Sequence, residues 1–435
     1  MSERVRQKGP ILIRGGHLID PDAGLDEPRD LLLDGGIVKA VDKPGAIPAS
    51  DADVIDASGQ IVSPGFIDMH VHLREPGYEY KETVGTGSMS AVVGGVTSLG
   101  CMANTDPVND NAAVTQYIIE KARLAGLANV YPIGAVSIGL EGKQMSEFGE
   151  MYEAGVVAVS DDGMPIMDSG LMRRALEYAR MFGIAVIAHE EDLCLCGGGV
   201  MNEGLTSVRL GLRGIPSVGE TAMVARDIEL ARYTQGRLHV AHLSAAESVE
   251  MVRRAKADGV QVTAEAAPHH FTLDDTAVEG YNTNAKMYPP LRTPRDVDAV
   301  RAGLADGTID TIATDHAPHH RDEKGVSFDR AAKGIVGLET MLPLSLELVR
   351  TGELSMQRMV EAMTIAPARN LGLDRGTLKS GAPADVVIFD PDYRWTLDAA
   401  ALASKSNNTP FDGWDLQGKV SRTIVGGRSV WEDRR

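Results

Sequence analysis

The stretch "GFIDMHVHLREPG", residues 65–77, joins an apolar run to two histidines and an arginine. Because side chains alternate along a β-strand, His70 and His72 are expected to project to one side while Val71 faces the other. Two imidazoles on one face can bind one metal ion, but isolated pairs of this kind also occur as core histidines with backbone hydrogen bonds. The rest of the chain has to decide between these interpretations.

Seven more short apolar runs follow, and longer segments with helical periodicity separate them. Two of these segments, "MDSGLMRRALEYARMFG" and "ETAMVARDIELARYTQG", end in the glycine that is typical of a helix C-terminus. Eight strands with helices between them predict a (β/α)₈ barrel of the TIM type. The eight runs span residues 66–73, 97–104, 130–137, 156–162, 184–191, 238–244, 260–270 and 309–320.

The two ends of the chain have a different pattern, with short strands, Gly and Asp turns and no helices between them. Examples are "DLLLDGGIVKAVD" near the N-terminus and "SRTIVGGRSVWED" near the C-terminus. Two all-β flanks most simply pair with each other. We therefore predict a small discontinuous β-sandwich domain from residues 1–64 and 376–435, around a barrel of residues 65–375.

Composition narrows the classes of function. The chain has 435 residues, is 43% hydrophobic and carries a formal charge of −18, which argues against a nucleic-acid partner. No apolar stretch reaches the ~20 residues of a membrane span, and the N-terminus lacks the pattern of a signal peptide. Three cysteines do not make a disulfide framework in a chain of this length. We expect a cytoplasmic protein with a small-molecule substrate and no membrane partner.

Six polar residues fall at the carboxyl ends of predicted barrel strands, where reactive groups lie in this fold. Imidazole and carboxylate groups are ligands that Zn²⁺ or a similar ion takes, so their convergence predicts a metal centre. His239, three positions before His242, is expected on the opposite strand face as an ordinary core histidine. The six residues are His70, His72, Asp162, His189, His242 and Asp315.

These residues carry a resemblance to a known family. The motifs "DMHVHLREPG", "SDDG", "AVIAHEE", "HVAHLS" and "IATDHAPH" resemble bacterial dihydroorotases of the amidohydrolase superfamily, and the similarity covers nearly the whole chain. The resemblance implies reversible hydrolysis of dihydroorotate to N-carbamoyl-L-aspartate in de novo pyrimidine biosynthesis. It also implies one or two Zn²⁺ ions per subunit and a homo-oligomer, and it leaves open a complex with aspartate transcarbamoylase.

The resemblance assigns roles within the metal centre. Asp162 would bridge or cap the ions in place of the carboxylated lysine of related enzymes. Asp315 would contact the activated water, accept its proton and deliver that proton to the leaving ring nitrogen. Asp161 competes with Asp162, but adjacent strand residues face opposite sides, so one of the two points into the barrel mouth. One ion would be held by His70 and His72, and the other by His189 and His242.

Arg74 lies two residues beyond the HxH pair, where its planar guanidinium can pair bidentately with a substrate carboxylate. A surface salt bridge is the alternative role. By resemblance, the substrate pocket also includes His72, Asn104, Tyr288, His319, Lys333 and Gly334.

Three departures from the family pattern leave the substrate preference open. This chain has "MANT" with Ala103 where the family often has "MPNT", and "KMYPPLR" with Tyr288 where the family often has "KMNPPLR". It also has "AKG", with Ala332 and Lys333, where the family often has "PFG". The asparagine that Tyr288 replaces usually touches the substrate ring. Tyr288 is larger, but it can still donate a hydrogen bond.

The sequence leaves two other functions open. A hydantoinase or allantoinase would share the HxH strand, but such enzymes generally lack the arginine of "HLR" and place a carboxylated lysine at the fourth strand. Residues 151–165 contain no lysine. A non-catalytic scaffold for aspartate transcarbamoylase would have lost metal ligands, whereas this chain keeps all six.

Overall fold

The structure, a computed structural model, describes residues 9–49 and 51–433. Before the barrel, the described chain forms short strands with tight turns between them. They are β1 (Ile11–Arg14), β2 (His17–Asp20), β3 (Leu25–Pro28), β4 (Asp30–Asp34), β5 (Ile37–Asp42), β6 (Asp53–Asp56) and β7 (Ile61–Pro64).

All eight runs predicted as barrel strands contain a strand, and neighbouring strands pair in parallel. Two bridges complete the ring, Gly134 with Val159 and Val71 with His316. The (β/α)₈ barrel is therefore confirmed. Its strands are β8 (Phe66–Val71), β9 (Val96–Cys101), β10 (Asn129–Pro132), β11 (Ala158–Ser160), β12 (Ala185–Ala188), β15 (Leu238–Val240), β16 (Val262–Ala266) and β17 (Thr311–Ile312); the short pair β13 (Met201–Asn202) and β14 (Gly214–Ile215) lies between β12 and β15.

Helices follow the barrel strands, and the two segments predicted from their periodicity form α4 (Ser169–Phe182) and α7 (Val218–Thr234). Side chains such as Asn111 and Asp168 cap helix N-termini, and glycines in the left-handed region end several helices. The helices are α1 (Val84–Val93), α2 (Ala112–Ala125), α3 (Phe148–Ala154), α4 (Ser169–Phe182), α5 (Leu193–Cys196), α6 (Leu205–Leu210), α7 (Val218–Thr234), α8 (Ala246–Ala257), α9 (Pro268–Thr272), α10 (Pro294–Asp306), α11 (Arg321–Lys324), α12 (Met341–Arg350), α13 (Met356–Met363) and α14 (Ile365–Leu371).

The C-terminal strands β18 (Val386–Thr396), β19 (Asp415–Val425) and β20 (Arg428–Glu432) join the N-terminal ones. One sheet has the order β20-β19-β18-β7-β2-β3 and the other the order β5-β4-β1-β6. Apolar residues of both sheets, including Ile13, Leu33, Val62 and Ile388, form one buried cluster. This is the predicted sandwich from both termini.

The limits 1–64, 65–375 and 376–435 stay a prediction, and residues 1–8, 50, 434 and 435 of those ranges lie outside the described residues. Cys101, Cys194 and Cys196 are free thiols. Within residues 9–49 and 51–433, no helix is long and apolar enough to cross a membrane.

Candidate metal centre

The first group of possible ligands brings together residues from the ends of three barrel strands. The Nε2 atoms of His70 and His72 lie 3.2 Å and 3.3 Å from Oδ2 of Asp162. Oδ1 of Asp315 lies 3.0 Å from Nε2 of His72. All four side chains are buried, and their donor atoms face one another across a small space.

A second group uses the other oxygen of the same aspartate. Oδ1 of Asp162 lies 3.4 Å from Nδ1 of His189 and 3.2 Å from Nε2 of His242, and these two nitrogens are 2.9 Å apart. Asp162 thus offers one oxygen to each group, which is the arrangement of a bridging ligand. We call these two groups together the ligand cluster; it contains His70, His72, Asp162, His189, His242 and Asp315.

The proton positions within the ligand cluster fit a bound cation. His70 directs Nδ1 at the carboxylate of Glu265, which accepts a hydrogen bond, while its buried Nε2 has no hydrogen-bond partner. The Nε2 atom then faces the oxygens of Asp162 and Asp315, and these groups repel one another unless a proton on Nε2 or a bound cation lies between them. Imidazole and carboxylate donors suit a divalent ion such as Zn²⁺.

The electrostatics favour a cation as well. Burial alone would lower the pKa of His70, but Asp162, Glu265 and Asp315 raise it well above its ordinary value. Burial alone would raise the pKa of Asp162, yet His70, His189 and His242 hold it well below its ordinary value. The buried carboxylates therefore create a negative potential where the ring nitrogens converge.

Three site residues adopt a left-handed backbone, which is uncommon for residues other than glycine. The φ angles are 63° at Arg74, 31° at His242 and 48° at Asp315. Such conformations cost about 1–3 kcal/mol each and persist where the surrounding structure enforces them. Asp68 provides such support, because its carboxylate accepts hydrogen bonds from the Thr314 amide at 3.1 Å and from the Thr314 hydroxyl at 2.5 Å.

Asp161 faces away from the ligand cluster, as expected for the neighbour of Asp162. Its carboxylate accepts hydrogen bonds from the amides of Val136 and Ser137 at 2.8 Å and 2.9 Å, and from the Ser137 hydroxyl at 2.5 Å. Burial raises the pKa of Asp161 to about 6. Asp161 therefore holds the loop after β10.

A cavity of about 310 Å³ opens beside the first ligand group. Arg74 is 9% exposed; its Nε donates to the carbonyl of Pro318 at 3.2 Å, and its Nη2 lies 3.5 Å from Nε2 of His319. Strand β8 ends at Val71, so Arg74 reaches the cavity through its left-handed turn and not by strand alternation. The walls include His72, Arg74, Asn104, Asp162, His189, Tyr288, Asp315, His319 and Lys333.

Asn104 contacts the ligand cluster directly. Its Oδ1 lies 2.8 Å from Nδ1 of His72, so it accepts a hydrogen bond that directs Nε2 of His72 toward Asp315. Asn104 therefore lines the cavity and orients a candidate ligand.

Comparisons with known proteins agree with this geometry. A family described as "Dihydro-orotase-like" matches residues 59–248, and one described as "Amidohydrolase family" matches residues 217–431. The chain is 58% identical to a dihydroorotase of Geotalea daltonii and 56% identical to one of Geobacter metallireducens, each over 97% of this chain and 99% of the relative. This chain belongs to the dihydroorotase family.

Solved structures of other amidohydrolases share the fold of this dihydroorotase family member. An L-hydantoinase from Arthrobacter aurescens superposes with a TM-score of 0.87 at 26% identity, over 98% of this chain and 96% of its own. A D-hydantoinase from Thermus sp. gives a TM-score of 0.83 at 28% identity, with the same coverage. The much higher identity to dihydroorotases separates this chain from these enzymes.

Two departures from the dihydroorotase pattern contact each other. The ammonium of Lys333 lies 3.4 Å from the centre of the Tyr288 ring. The Tyr288 hydroxyl donates to the carbonyl of Gly199, so the hydrogen bond that it was expected to offer a substrate is already made within the protein. The part of Tyr288 that remains available to line the cavity is its aromatic ring.

Gly334 lies behind the cavity wall. A Cβ atom at this position would be 2.6 Å from the Ala317 carbonyl and 2.7 Å from Cδ2 of His319, and the amide of Gly334 donates to the carbonyl of Lys286 at 2.9 Å. This glycine lets the chain pass closely behind His319.

Sequence reasoning missed Glu265 and explained His239 incorrectly. His239 is a core histidine with hydrogen bonds, as expected, but strand β15 ends at Val240 and His242 lies beyond it, so strand alternation does not relate the two. A glutamate in the apolar run "VQVTAEAA" is the signal that could have revealed Glu265, because a buried charge needs a partner.

Proposed function

We propose that this chain is an active, zinc-dependent dihydroorotase that interconverts dihydroorotate and N-carbamoyl-L-aspartate. The observation that carries the proposal is a cavity in which a buried arginine faces a complete ligand cluster. A ring that bears a carboxylate fits this pairing, because the arginine can bind the carboxylate while the amide lies against the ligand cluster.

The ligand cluster would hold the ions, with Asp162 shared between the two groups. The chemistry that a divalent ion would supply there is a lowered pKa, ~7, for a water molecule and polarisation of the carbonyl group under attack. Two further contacts support this role, because Glu265 and Asn104 bond to Nδ1 of His70 and His72, so that both Nε2 atoms face the oxygens of Asp162.

Arg74 would position the substrate by pairing with its carboxylate, and His319 and Asn104 complete that side of the cavity. Asp315 would accept the proton of the attacking water at its carboxylate. When the ring amide C–N bond breaks, the same proton passes from Asp315 to the leaving nitrogen. The reverse order of these transfers closes N-carbamoyl-L-aspartate to the ring.

Tyr288 and Lys333 would form the outer side of the substrate site. The Tyr288 ring supplies an apolar surface, and Lys333 adds a second positive charge at the cavity wall. Gly334 would act indirectly, through the path of the chain behind His319.

The test is an assay of the purified protein with dihydroorotate, monitored spectrophotometrically, together with elemental analysis. We expect turnover of dihydroorotate, loss of activity on complete chelation and recovery with Zn²⁺. Hydantoin and allantoin serve as controls and should react poorly. Full activity of verified metal-free protein, or a preference for hydantoin, would contradict the proposal.

The cytoplasmic location, the homo-oligomer and the complex with aspartate transcarbamoylase stay predictions from the sequence. Size-exclusion chromatography with light scattering, with and without a transcarbamoylase, tests the last two.

A further inference from the structure

One buried carboxylate contacts both groups of the ligand cluster. Glu265 in β16 is 1% exposed, and its Oε1 accepts a hydrogen bond from Nδ1 of His70. The same oxygen accepts a hydrogen bond from the backbone amide of His242 at 3.2 Å. A single side chain therefore holds the imidazole of one group and the main chain of the other.

A second histidine orients this carboxylate. Nε2 of His239 lies 3.2 Å from Oε2 of Glu265, and Nδ1 of His239 lies 2.7 Å from the hydroxyl of Thr263. A carboxylate accepts hydrogen bonds, so His239 donates from Nε2, and its Nδ1 is left to accept from Thr263. Both oxygens of Glu265 are thereby used.

We propose that Glu265 and His239 form a positioning pair that sets the affinity of the ligand cluster for its ions. The inference rests on the proposed function of that cluster. A carboxylate on Nδ1 fixes the tautomer and ring orientation of a histidine ligand and raises its basicity. The bond to the His242 amide also stabilises the left-handed backbone that brings this imidazole to Asp162.

The chain contains a matched control. Glu82 and His316 form another fully buried carboxylate–imidazole pair, with 3.4 Å between Oε2 and Nε2. His316 is not a member of the ligand cluster, but it follows Asp315 in the chain and its carbonyl accepts a hydrogen bond from the His72 amide at 2.9 Å. Glu82→Gln therefore makes the same chemical change close to the ligand cluster without removing a side-chain contact of a candidate ligand. A general cost of altering a buried pair would appear in both variants, whereas a positioning effect would appear in Glu265→Gln alone.

The experiment measures the dissociation constants of Zn²⁺ and Co²⁺ by competition of the full-length holoprotein against a chelator. Glu265→Gln keeps the side-chain shape, and we expect it to weaken binding of either ion by about 10–100-fold. Glu82→Gln should change these constants much less, because Glu82 contacts no candidate ligand side chain. The visible spectrum of the Co²⁺-loaded protein should shift in Glu265→Gln and stay unchanged in Glu82→Gln, because it reports ligand geometry.

His239→Asn provides a second variant that leaves the contact between Glu265 and His70 in place. It should weaken ion binding in the same direction by a smaller factor, and it decides the question if Glu265→Gln does not fold. Wild-type ion affinity and an unshifted Co²⁺ spectrum in the folded variant would overturn the inference. If the wild-type protein itself binds no Zn²⁺ and does not hydrolyse dihydroorotate, the proposed function fails, and this inference fails with it.

Discussion

The ligand cluster and the outer wall of the cavity, formed by Tyr288, Ala332 and Lys333, meet at one site but are built differently. Each residue of the cluster lies at the end of a barrel strand or directly beyond it, and each is at most 8% exposed. In the outer wall, Lys333 is exposed and lies in a loop, and the hydroxyl of Tyr288 bonds to a main-chain carbonyl.

The difference assigns separate tasks to the two regions. Strand ends in a closed barrel hold side chains rigidly, as the chemical step requires, whereas loops can vary without disturbing the scaffold. The departures at Tyr288 and Lys333 fall in the outer wall, while the six ligand-type residues all lie on the strand-end side. Four changes test this division.

The largest effect is expected from Asp162→Ala, because Asp162 offers an oxygen to both ligand groups. Loss of a residue that only supports a metal ligand lowers metal affinity or activity by about 10–100-fold. Asp162→Ala removes a candidate ligand itself, so its metal affinity and its activity should both fall by more than this. Asp161→Ala is the control; it should lose far less metal, since Asp161 contacts the β10 loop. Elemental analysis and turnover measure both, and a fully loaded Asp162→Ala protein would show that the strand-end side is not the metal centre.

Arg74→Met tests the point where the two regions meet. This substitution removes the guanidinium that would pair with the substrate carboxylate in a buried site. The kcat/KM for dihydroorotate should fall by a factor equivalent to about 2–5 kcal/mol of transition-state binding energy. Dihydrouracil, the same ring without the carboxylate, should be affected much less. An equal loss with both substrates would make Arg74 a structural residue.

The third prediction concerns His319, where burial and the nearby Arg74 lower the pKa to about 2. Between this value and the ~6.5 of an unfolded histidine, the unfolded chain binds more protons than the folded one, so His319 makes stability fall as the pH drops below ~6.5.

From pH 7 to pH 5 this single group should cost about 2 kcal/mol of unfolding free energy. Urea unfolding at both pH values, at fixed Zn²⁺ concentration, should show a smaller loss for His319→Gln. If wild type and variant lose the same stability, His319 titrates normally, and the cavity around it is wetter than the ligand cluster.

The smallest effect is expected from Lys333→Met, because Lys333 is exposed and water screens its charge. The KM for dihydroorotate should rise by a factor of about 1.4 to 5 at low salt, as for an exposed ion pair of ~0.2–1 kcal/mol, and the difference should vanish near 1 M salt. Tyr288→Phe, which keeps the ring under Lys333, should leave KM unchanged. If Lys333→Met lowered kcat/KM for dihydroorotate as much as Arg74→Met does, Lys333 would be a substrate-binding residue equivalent to Arg74.

Much of the fold and site could be predicted from local patterns. Strand and helix periodicities predicted the eight-stranded barrel, and polar residues at the ends of the runs predicted where His70, His189 and Asp315 converge. Arg74 reaches the cavity as expected, but through a left-handed turn that strand alternation does not describe. The hydrogen-bond role of Tyr288 could not be predicted, because its hydroxyl meets the carbonyl of Gly199, which lies 89 positions away in the chain.

By itself, the sequence determined the barrel, the sandwich formed by both ends and the residue types at the barrel mouth, because periodicity and turn chemistry are local properties. Only the tertiary structure decided that Asp162 divides its oxygens between two groups, that Glu265 contacts both, and that Lys333 lies over Tyr288. These contacts join atoms up to 195 positions apart, and their geometry depends on how the barrel closes and where each strand ends. No local pattern carries that information, since it arises when all eight strands pack around one interior.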